Sequence, residues 1–278
     1  MPADKNKSLN VSDQDYWYWY YQGKEKEDQG AYLDALKAYE QAIYLRGDDY
    51  WVWYRHANVL YSLERHNEVI VSLDRALAIR PQDYWAWYYR GCVSLEDLDN
   101  YQEAILSFEQ AIAQRPEDYW AWYRLGDTYR QLGKYQDAVN SYKQSLCKRP
   151  EDYWSWYRMG DAYLRSGAYQ EAIESYRKAL YIDSGSFWAW SKLGDAWRYL
   201  SNYQQAIAGY QEALALKPDD EYNWYNQACC AAHLSRVELA NDCLERAIAL
   251  NPRNQELAQT DSDFCRITSE PSFQRVLT

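Results

Sequence analysis

One phrase of nine residues comes back along this chain and limits what it can fold into. Asp118-Tyr-Trp-Ala-Trp-Tyr-Arg-Leu-Gly126 has near copies in Asp49-Tyr-Trp-Val-Trp-Tyr, Asp83-Tyr-Trp-Ala-Trp-Tyr and Asp152-Tyr-Trp-Ser-Trp-Tyr. Asp15-Tyr-Trp-Tyr-Trp-Tyr and Ser186-Phe-Trp-Ala-Trp-Ser are looser copies, and Asp220-Glu-Tyr-Asn-Trp-Tyr is the most worn. They start at 16, 50, 84, 119, 153, 187 and 221, a spacing of 34 with one interval of 35. A fixed period in this range means an array of supersecondary units, each unable to bury its apolar face alone. A chain of 278 residues would otherwise suggest one or two domains.

Each repeat reads as two helices. In 119–152, apolar residues recur at helical spacing from Tyr119 to about Leu132, and Gly133-Lys134 interrupts them. Ala138, Val139, Tyr142, Ser145 and Leu146 resume the pattern, Pro150 ends it, and Asp152 can cap the next helix. The seven units are 16–49, 50–83, 84–118, 119–152, 153–186, 187–220 and 221–254. Residues 1–15 are polar and expected to be disordered.

These residues resemble the tetratricopeptide repeat. With Tyr119 as position 1, that family places particular residue types at positions 4, 7, 8, 11, 20, 24, 27 and 32. Here they are Trp122, Leu125, Gly126, Tyr129, Ala138, Tyr142, Ser145 and Pro150, and the units from 153 and 187 match comparably. The resemblance covers 16–254 and implies an all-α, right-handed superhelical solenoid. The first unit departs at Gln22 and Lys26, as a water-facing terminal repeat should. The third unit has one extra residue within Leu95–Asn100, expected to bulge its turn and leave the stacking intact. Residues 255–278 leave the period. Leu257, Phe264, Ile267, Phe273, Val276 and Leu277 there are expected to form capping helices against the last unit. This tail is similar to those of many bacterial, especially cyanobacterial, tetratricopeptide proteins.

Composition narrows the partner. A net charge of −11 argues against a nucleic-acid backbone or an anionic membrane surface, since both want a basic footprint. Six cysteines show no CxxC or Cys/His ligand spacing, so a reduced, cytoplasmic protein without metal or other cofactor is expected. No signal peptide is visible, and no run of 18 apolar residues exists. With 30 Tyr and 14 Trp against 4 Phe, the aromatics carry polar handles that a plain core does not require.

On a helical wheel, positions 4, 7, 8 and 11 share one face, whereas positions 1, 2, 5, 9 and 12 share another. The Trp at position 4 (19, 53, 87, 122, 156, 190 and 224) is therefore expected in the core. Position 2 forms a second stripe of Trp17, Trp51, Trp85, Trp120, Trp154, Trp188 and Tyr222. The resemblance implies that positions 2, 5, 9 and 12 line a concave groove that takes an extended peptide or a partner helix. That groove would hold the stripe, with Tyr20, Tyr54, Tyr88, Tyr123 and Tyr157 at position 5. Position 9 would add Asp127, Asp161 and Asp195, and position 12 would add Arg130 and Arg198. The alternative is that the position-2 rings pack on the neighbouring unit and stiffen the array.

Trp and Tyr lead among interface hot spots, and with acids nearby they suit a Pro-rich or basic protein or peptide partner. Self-association through the aromatic surface is also open. Glycan binding on the Trp/Tyr ladder is the main rival, and single-stranded RNA would stack there too but for the acidic charge. His56, His66 and His233 stand far apart with no nucleophile at repeating spacing, so a non-catalytic interaction scaffold is the expectation. The row of Asp follows the repeat pitch and reads as an acidic binding face rather than paired acid–base carboxylates.

Overall fold

A computed structural model describes residues 11–278, and it is all-α. The helices come in pairs, one pair per repeat. They are Val11–Asp28 (α1) with Tyr32–Leu45 (α2), Tyr50–Ser62 (α3) with His66–Ile79 (α4), and Tyr84–Glu96 (α5) with Tyr101–Gln114 (α6). Next come Tyr119–Gln131 (α7), Tyr135–Lys148 (α8), then Tyr153–Ser166 (α9) with Tyr169–Ile182 (α10). Phe187–Tyr199 (α11) with Tyr203–Leu216 (α12) and Glu221–His233 (α13) with Val237–Leu250 (α14) complete the series. Arg253–Thr260 (α15), a single 3-10 turn at Ser262–Phe264 and Pro271–Val276 (α16) follow. The described residues form two compact blocks, one ending at Gly133 and the other Lys134–Thr278. None of the described helices is long and apolar enough to cross a membrane.

α1 begins at Val11, so the last five residues of the segment expected to be disordered are helical. Asp13 lies in its first turn, where the helix N-terminus favours a carboxylate, 3.8 Å from the Arg46 guanidinium. The rest of that segment, residues 1–10, lies outside the described residues.

From the second repeat on, the residue before each first helix caps it. Asp49 accepts from the Trp51 N–H, Asp83 from Ala86, Asp118 from Trp120, Asp152 from Ser155, Ser186 from Ala189 and Asp220 from Asn223, at 2.7–3.2 Å. The turn inside each repeat is closed by one residue in the left-handed conformation. Gly30, Gly133 and Gly167 do this freely, whereas Glu64, Asp99, Ser201 and Ser235 adopt φ of 50–58°. The extra residue of the third repeat is absorbed here. Four residues (97–100) join α5 to α6, where three (63–65) join α3 to α4, and the Asn100 N–H reaches back to the Ser94 carbonyl at 2.7 Å.

The two helices of a repeat cross through a matched pair. Where position 8 is glycine, position 24 is aromatic: Gly23 faces Tyr39, Gly91 faces Phe108, Gly160 faces Tyr176 and Gly194 faces Tyr210. A Cβ on any of these glycines would stand 2.6–2.7 Å from the ring. Where position 8 is Ala57 or Ala228, position 24 is Leu73 or Leu244, and both partners are again buried. Volume is thus conserved across the crossing, as close packing demands.

The position-4 tryptophans depart from the sequence expectation. They are half-buried, and from the second repeat on the indole N–H latches the turn before its own helix. Trp53 donates to the Gly47 carbonyl, Trp87 to Pro81, Trp122 to Pro116, Trp156 to Pro150, Trp190 to Ser184 and Trp224 to Pro218, at 2.8–3.0 Å. An indole N–H removed from water needs such an acceptor, which draws the ring to the helix margin. From the second repeat on, the position-3 side chains Val52, Ala86, Ala121, Ser155, Ala189 and Asn223 are fully buried instead, each 0% exposed.

His56 is partly buried against Ser72, with Nδ1 2.9 Å from Oγ. The Ser72 hydroxyl already donates to the Glu68 carbonyl at 2.9 Å, so Nδ1 carries the proton and donates. Burial pushes the His56 pKa down to about 4, with the Arg65 guanidinium adding to the fall. A depressed folded pKa means that stability is held above the unfolded value near 6.5 and lost as pH falls toward 4. Acidification from pH 7 to 4 is expected to cost about 3 kcal/mol through this residue. Urea melts of the wild type and His56→Gln across that range check it; parallel pH profiles would refute it.

At the C-terminal end, Phe264, Ile267 and Phe273 are buried against Cys230, Leu244 and Ala247, with Val276 and Leu277 packed around them. Leu257 faces water at 51% exposure, and Ala258 takes the inward place one helical step later. Polar ties fasten this cap. Asp263 receives Arg198 at 2.5 Å and His233 at 2.9 Å, and Tyr225 donates to Asp261 at 2.8 Å.

Candidate binding face

The first helix of each repeat carries its aromatic residues as a braced set. Position 5 lies one turn above position 1, and the two tyrosine rings stack: Tyr16 with Tyr20, Tyr50 with Tyr54, Tyr84 with Tyr88 and Tyr153 with Tyr157, at 5.7–6.1 Å. The position-2 indole meets both edge-on. Trp51 lies 5.0 Å from Tyr50 and 6.3 Å from Tyr54, and Trp154 lies 5.1 Å from Tyr153 and 6.2 Å from Tyr157. Such geometry suits the ring quadrupoles and holds the indole in one rotamer.

Position 2 remains open. In the N-terminal block Trp51, Trp85 and Trp120 are 44–53% exposed, and Trp17 is partly covered; in the C-terminal block Trp154, Trp188 and Tyr222 are 48–61% exposed. Position 5 is more covered: Tyr20, Tyr54 and Tyr88 are part-buried, and Tyr123 and Tyr157 are buried. Position 1, on the same arc of the wheel, is nearly closed off at Tyr16, Tyr50 and Tyr84.

The charged residues expected in the groove are largely engaged. Asp127 is buried and receives its own neighbour Arg130 at 2.8 Å, and Asp161 is buried with Arg165 at 3.2 Å. Asp195 is buried and accepts from Lys192 at 2.9 Å, the Tyr210 hydroxyl at 3.0 Å and the Tyr222 hydroxyl at 2.9 Å. Burial raises the Tyr222 pKa above the ordinary phenol value, and the adjacent Asp195 carboxylate raises it further. Arg198 belongs to the C-terminal cap through Asp263. In the C-terminal block a cavity of about 360 Å³ brings Asp161, Asp195 and Tyr222 together with Arg165, Lys192 and the stacked pair Tyr169–Tyr199. Both signs of charge face it, so it can hold polar groups but carries no excess of either.

Two sets of residues at this face were not picked out from the sequence. Position 6 of one repeat stitches to the repeat before: Arg55 reaches the Tyr20 hydroxyl at 3.2 Å and Glu27 at 3.1 Å, Tyr89 packs on Tyr54 and Tyr61, and Arg124 pairs with Glu96 at 2.6 Å. The second set is a cation just after the second helix of repeats 1–3. Arg46 lies 4.0 Å from the centre of the Tyr16 ring, Arg80 4.5 Å from Tyr50, and Arg115 4.7 Å from Tyr84. Each is also 5.4 Å from the position-2 indole, Trp17, Trp51 or Trp85. The signal was a basic residue at a fixed offset before the next cap, easily taken for a helix C-terminal charge.

Cys229, Asp261 and Asp263 have ligand atoms within 4.8 Å of one another. Arg198 and His233 already hold Asp263, and burial pushes the Cys229 thiol up, with Asp261 and Asp263 adding to the rise, so this group fits a structural tie better than a metal. All six cysteines are free thiols.

Comparison with known proteins identifies the units. Tetratricopeptide repeat models match residues 89–142 and 123–187, and a further one matches 187–220. A protein prenyltransferase alpha subunit repeat model matches 66–96. No curated protein matches the chain. Among solved structures, the C-terminal part of a TPR repeat-containing protein from Cytophaga hutchinsonii is 14% identical, with a TM-score of 0.72 over 88% of this chain and 98% of its own. YrrB, described as a TPR protein with an unusual peptide-binding site, is 22% identical, with a TM-score of 0.59 over 68% and 96%. MamA from Desulfovibrio magneticus RS-1, from residue 41 to its end, is 20% identical, with a TM-score of 0.56 over 62% and 97%. At these identities the likeness concerns the fold. Residues 89–220 carry tetratricopeptide repeats.

Proposed function

We propose that this chain is a non-catalytic protein-interaction scaffold whose position-2 rings receive an extended peptide or a partner helix. The observation that carries this is the half-exposure of Trp51, Trp85, Trp120, Trp154, Trp188 and Tyr222, one per repeat, each on a first helix. Edge-on packing already fixes the orientation of several of these rings, so a partner would order little on binding them. Large stiff rings of this kind dominate binding energy where they meet a partner. The peptide-binding site named for YrrB, a chain of the same repeat fold, is in keeping with the reading.

The partner's chemistry follows from charge. A face on a chain of net charge −11 favours a basic or Pro-rich segment over nucleic acid. The three histidines are tied structurally, His56 to Ser72, His66 beside Tyr61 and Asp97, and His233 to Asp263, which supports a non-catalytic role. Six free thiols suit the cytoplasm. Affinity capture from the native lysate tests the reading, with the intact chain beside a variant carrying Ala at Trp85, Trp120, Trp154 and Trp188. The variant is expected to keep its helical signal and lose the captured protein, at about 1 kcal/mol or more per contacting ring. Capture of the same proteins by both would show that these rings only stiffen the array.

A further inference from the structure

Comparing the repeats with one another exposes a gap in the fifth. In repeats 1–3 a guanidinium from the chain itself covers the position-1 tyrosine and the position-2 indole. A carboxylate stands by it: Arg46 is 2.6 Å from Asp49, and Asp83 and Asp118 act on the Tyr50 and Tyr84 hydroxyls. In repeat 6 Lys217 takes the same post, 5.3 Å from the Phe187 ring. In repeat 5 the post is held by Asp183. Its backbone, at φ −135° and ψ 93°, matches Arg115 at −138° and 80° and Lys217 at −138° and 87°, so the side chain leaves from the same place.

The rest of the set is intact. Tyr153 stacks on Tyr157, Trp154 meets both edge-on, and the Asp183 carboxylate acts on the Tyr153 hydroxyl. The cap of the next repeat is Ser186 instead of Asp, and Tyr153 and Ser186 share a hydrogen bond at 2.6 Å. Without a covering cation the Tyr153 ring is part-exposed, whereas Tyr16, Tyr50 and Tyr84 are 0–3% exposed. The charge of the basic neighbour Arg158 reaches the Tyr153 hydroxyl, but its guanidinium lies by the Tyr157 ring, at 5.8 Å, and does not cover the Tyr153 ring. Repeat 5 therefore keeps the two rings and one carboxylate and lacks the cation.

We infer that the fifth repeat holds a receptor slot for an arginine side chain of a protein partner, formed by Tyr153, Trp154 and Asp183. The guanidinium would lie over the phenol and beside the indole, as Arg46, Arg80 and Arg115 do in their own repeats, with Asp183 as counter-ion. Arginine is favoured over lysine because its plane stacks on a ring while its edge still pairs with a carboxylate. The slot deepens the proposed function and rests on the position-2 rings being the binding face.

The test is a titration of the full chain with acetyl-Gly-Gly-Arg-Gly-Gly-amide and with the same peptide carrying citrulline, an isostere without charge. The readout is the Trp154 indole N–H resonance, assigned through Trp154→Phe. The arginine peptide is expected to shift it saturably, and the citrulline peptide to bind about tenfold more weakly. Asp183→Asn is expected to weaken the arginine peptide several-fold. Asp183→Arg gives repeat 5 the residue of repeats 1–3, so it should abolish the titration and raise the urea midpoint of the chain. Equal binding of the two peptides, or an unchanged titration in Asp183→Arg, would overturn the slot. If the four-tryptophan variant loses its captured partner while Asp183→Arg retains it, the binding face stands and the slot falls. If the peptide titrates as expected while the four-tryptophan variant still captures its partner, Tyr153, Trp154 and Asp183 bind arginine, but the reading of the position-2 rings as the partner's face falls and with it the slot's role for that partner.

Discussion

Gly194→Ala is expected to destabilise the C-terminal block by about 1–3 kcal/mol, against the usual trend for this exchange. In a helix interior, replacing glycine by alanine normally gains about 1 kcal/mol. Here the new Cβ would stand 2.6 Å from the Tyr210 ring, and the other side of the crossing is as tight, since a Cβ on Gly209 would itself stand 3.0–3.1 Å from the Gly194 backbone. Gly194→Val is expected to exceed about 4 kcal/mol, since no rotamer clears the ring. The repeats themselves supply the compensating change. Repeats 2 and 7 pair Ala57 with Leu73 and Ala228 with Leu244. Gly194→Ala combined with Tyr210→Leu should therefore be more stable than the sum of the single changes, by roughly 1 kcal/mol or more in a double-mutant cycle. Additive losses in urea melts, or a stabilising Gly194→Ala, would show that the crossing is not set by this pair.

Asp195→Ala is the second large effect expected, at about 2–4 kcal/mol. It strips one buried acceptor from two phenols and an ammonium: Tyr210 at 3.0 Å, Tyr222 at 2.9 Å and Lys192 at 2.9 Å. Tyr210 is fully buried and finds no water to replace the carboxylate, whereas Lys192 is about one-third exposed and partly recovers. Asp195→Asn keeps an acceptor for the phenols and should cost only about 1 kcal/mol. Thermal melts of the two variants separate hydrogen bonding from charge. Equal losses would assign the whole effect to the Lys192 pair and leave the phenols without weight.

The repeat was legible because its signals are local. A period read off residues 16 to 221, an Asp or Ser at a fixed offset before the first helices of repeats 2–7 and a turn residue near position 15 all act within a few residues of chain. The binding face was legible only in part, because a wheel gives angle and not depth. Positions 1 and 5 share an arc with position 2, yet Tyr84 is buried and Trp85 is open. What decides between them arrives from elsewhere: Arg115 from the end of the repeat covers Tyr84, and Arg124 from the next first helix bonds the position-5 Tyr88. Arg198 was the hardest to place, since its partner Asp263 lies 65 residues on, in a segment outside the period. Position 4 misled for a chemical reason, because a tryptophan read as core apolar also has an N–H that must be satisfied.

The indole latches bear on where this chain can be lengthened. Each one ties the first helix of a repeat to a carbonyl six residues back, in the turn that joins it to the repeat before. That same turn carries the cap, so a residue added there would move a carbonyl out of reach of the indole and a carboxylate out of reach of its N–H. The turn inside a repeat bears one left-handed residue and no indole latch, and a side-chain cap only where Asn100 and Asn202 accept from the Glu103 and Gln205 N–H, each at 3.4 Å. The single extra residue among the seven repeats is found in such a turn, at 97–100. Growth by insertion, in the history of the sequence or at the bench, is thus channelled to one class of loop, while the other keeps the spacing of the array.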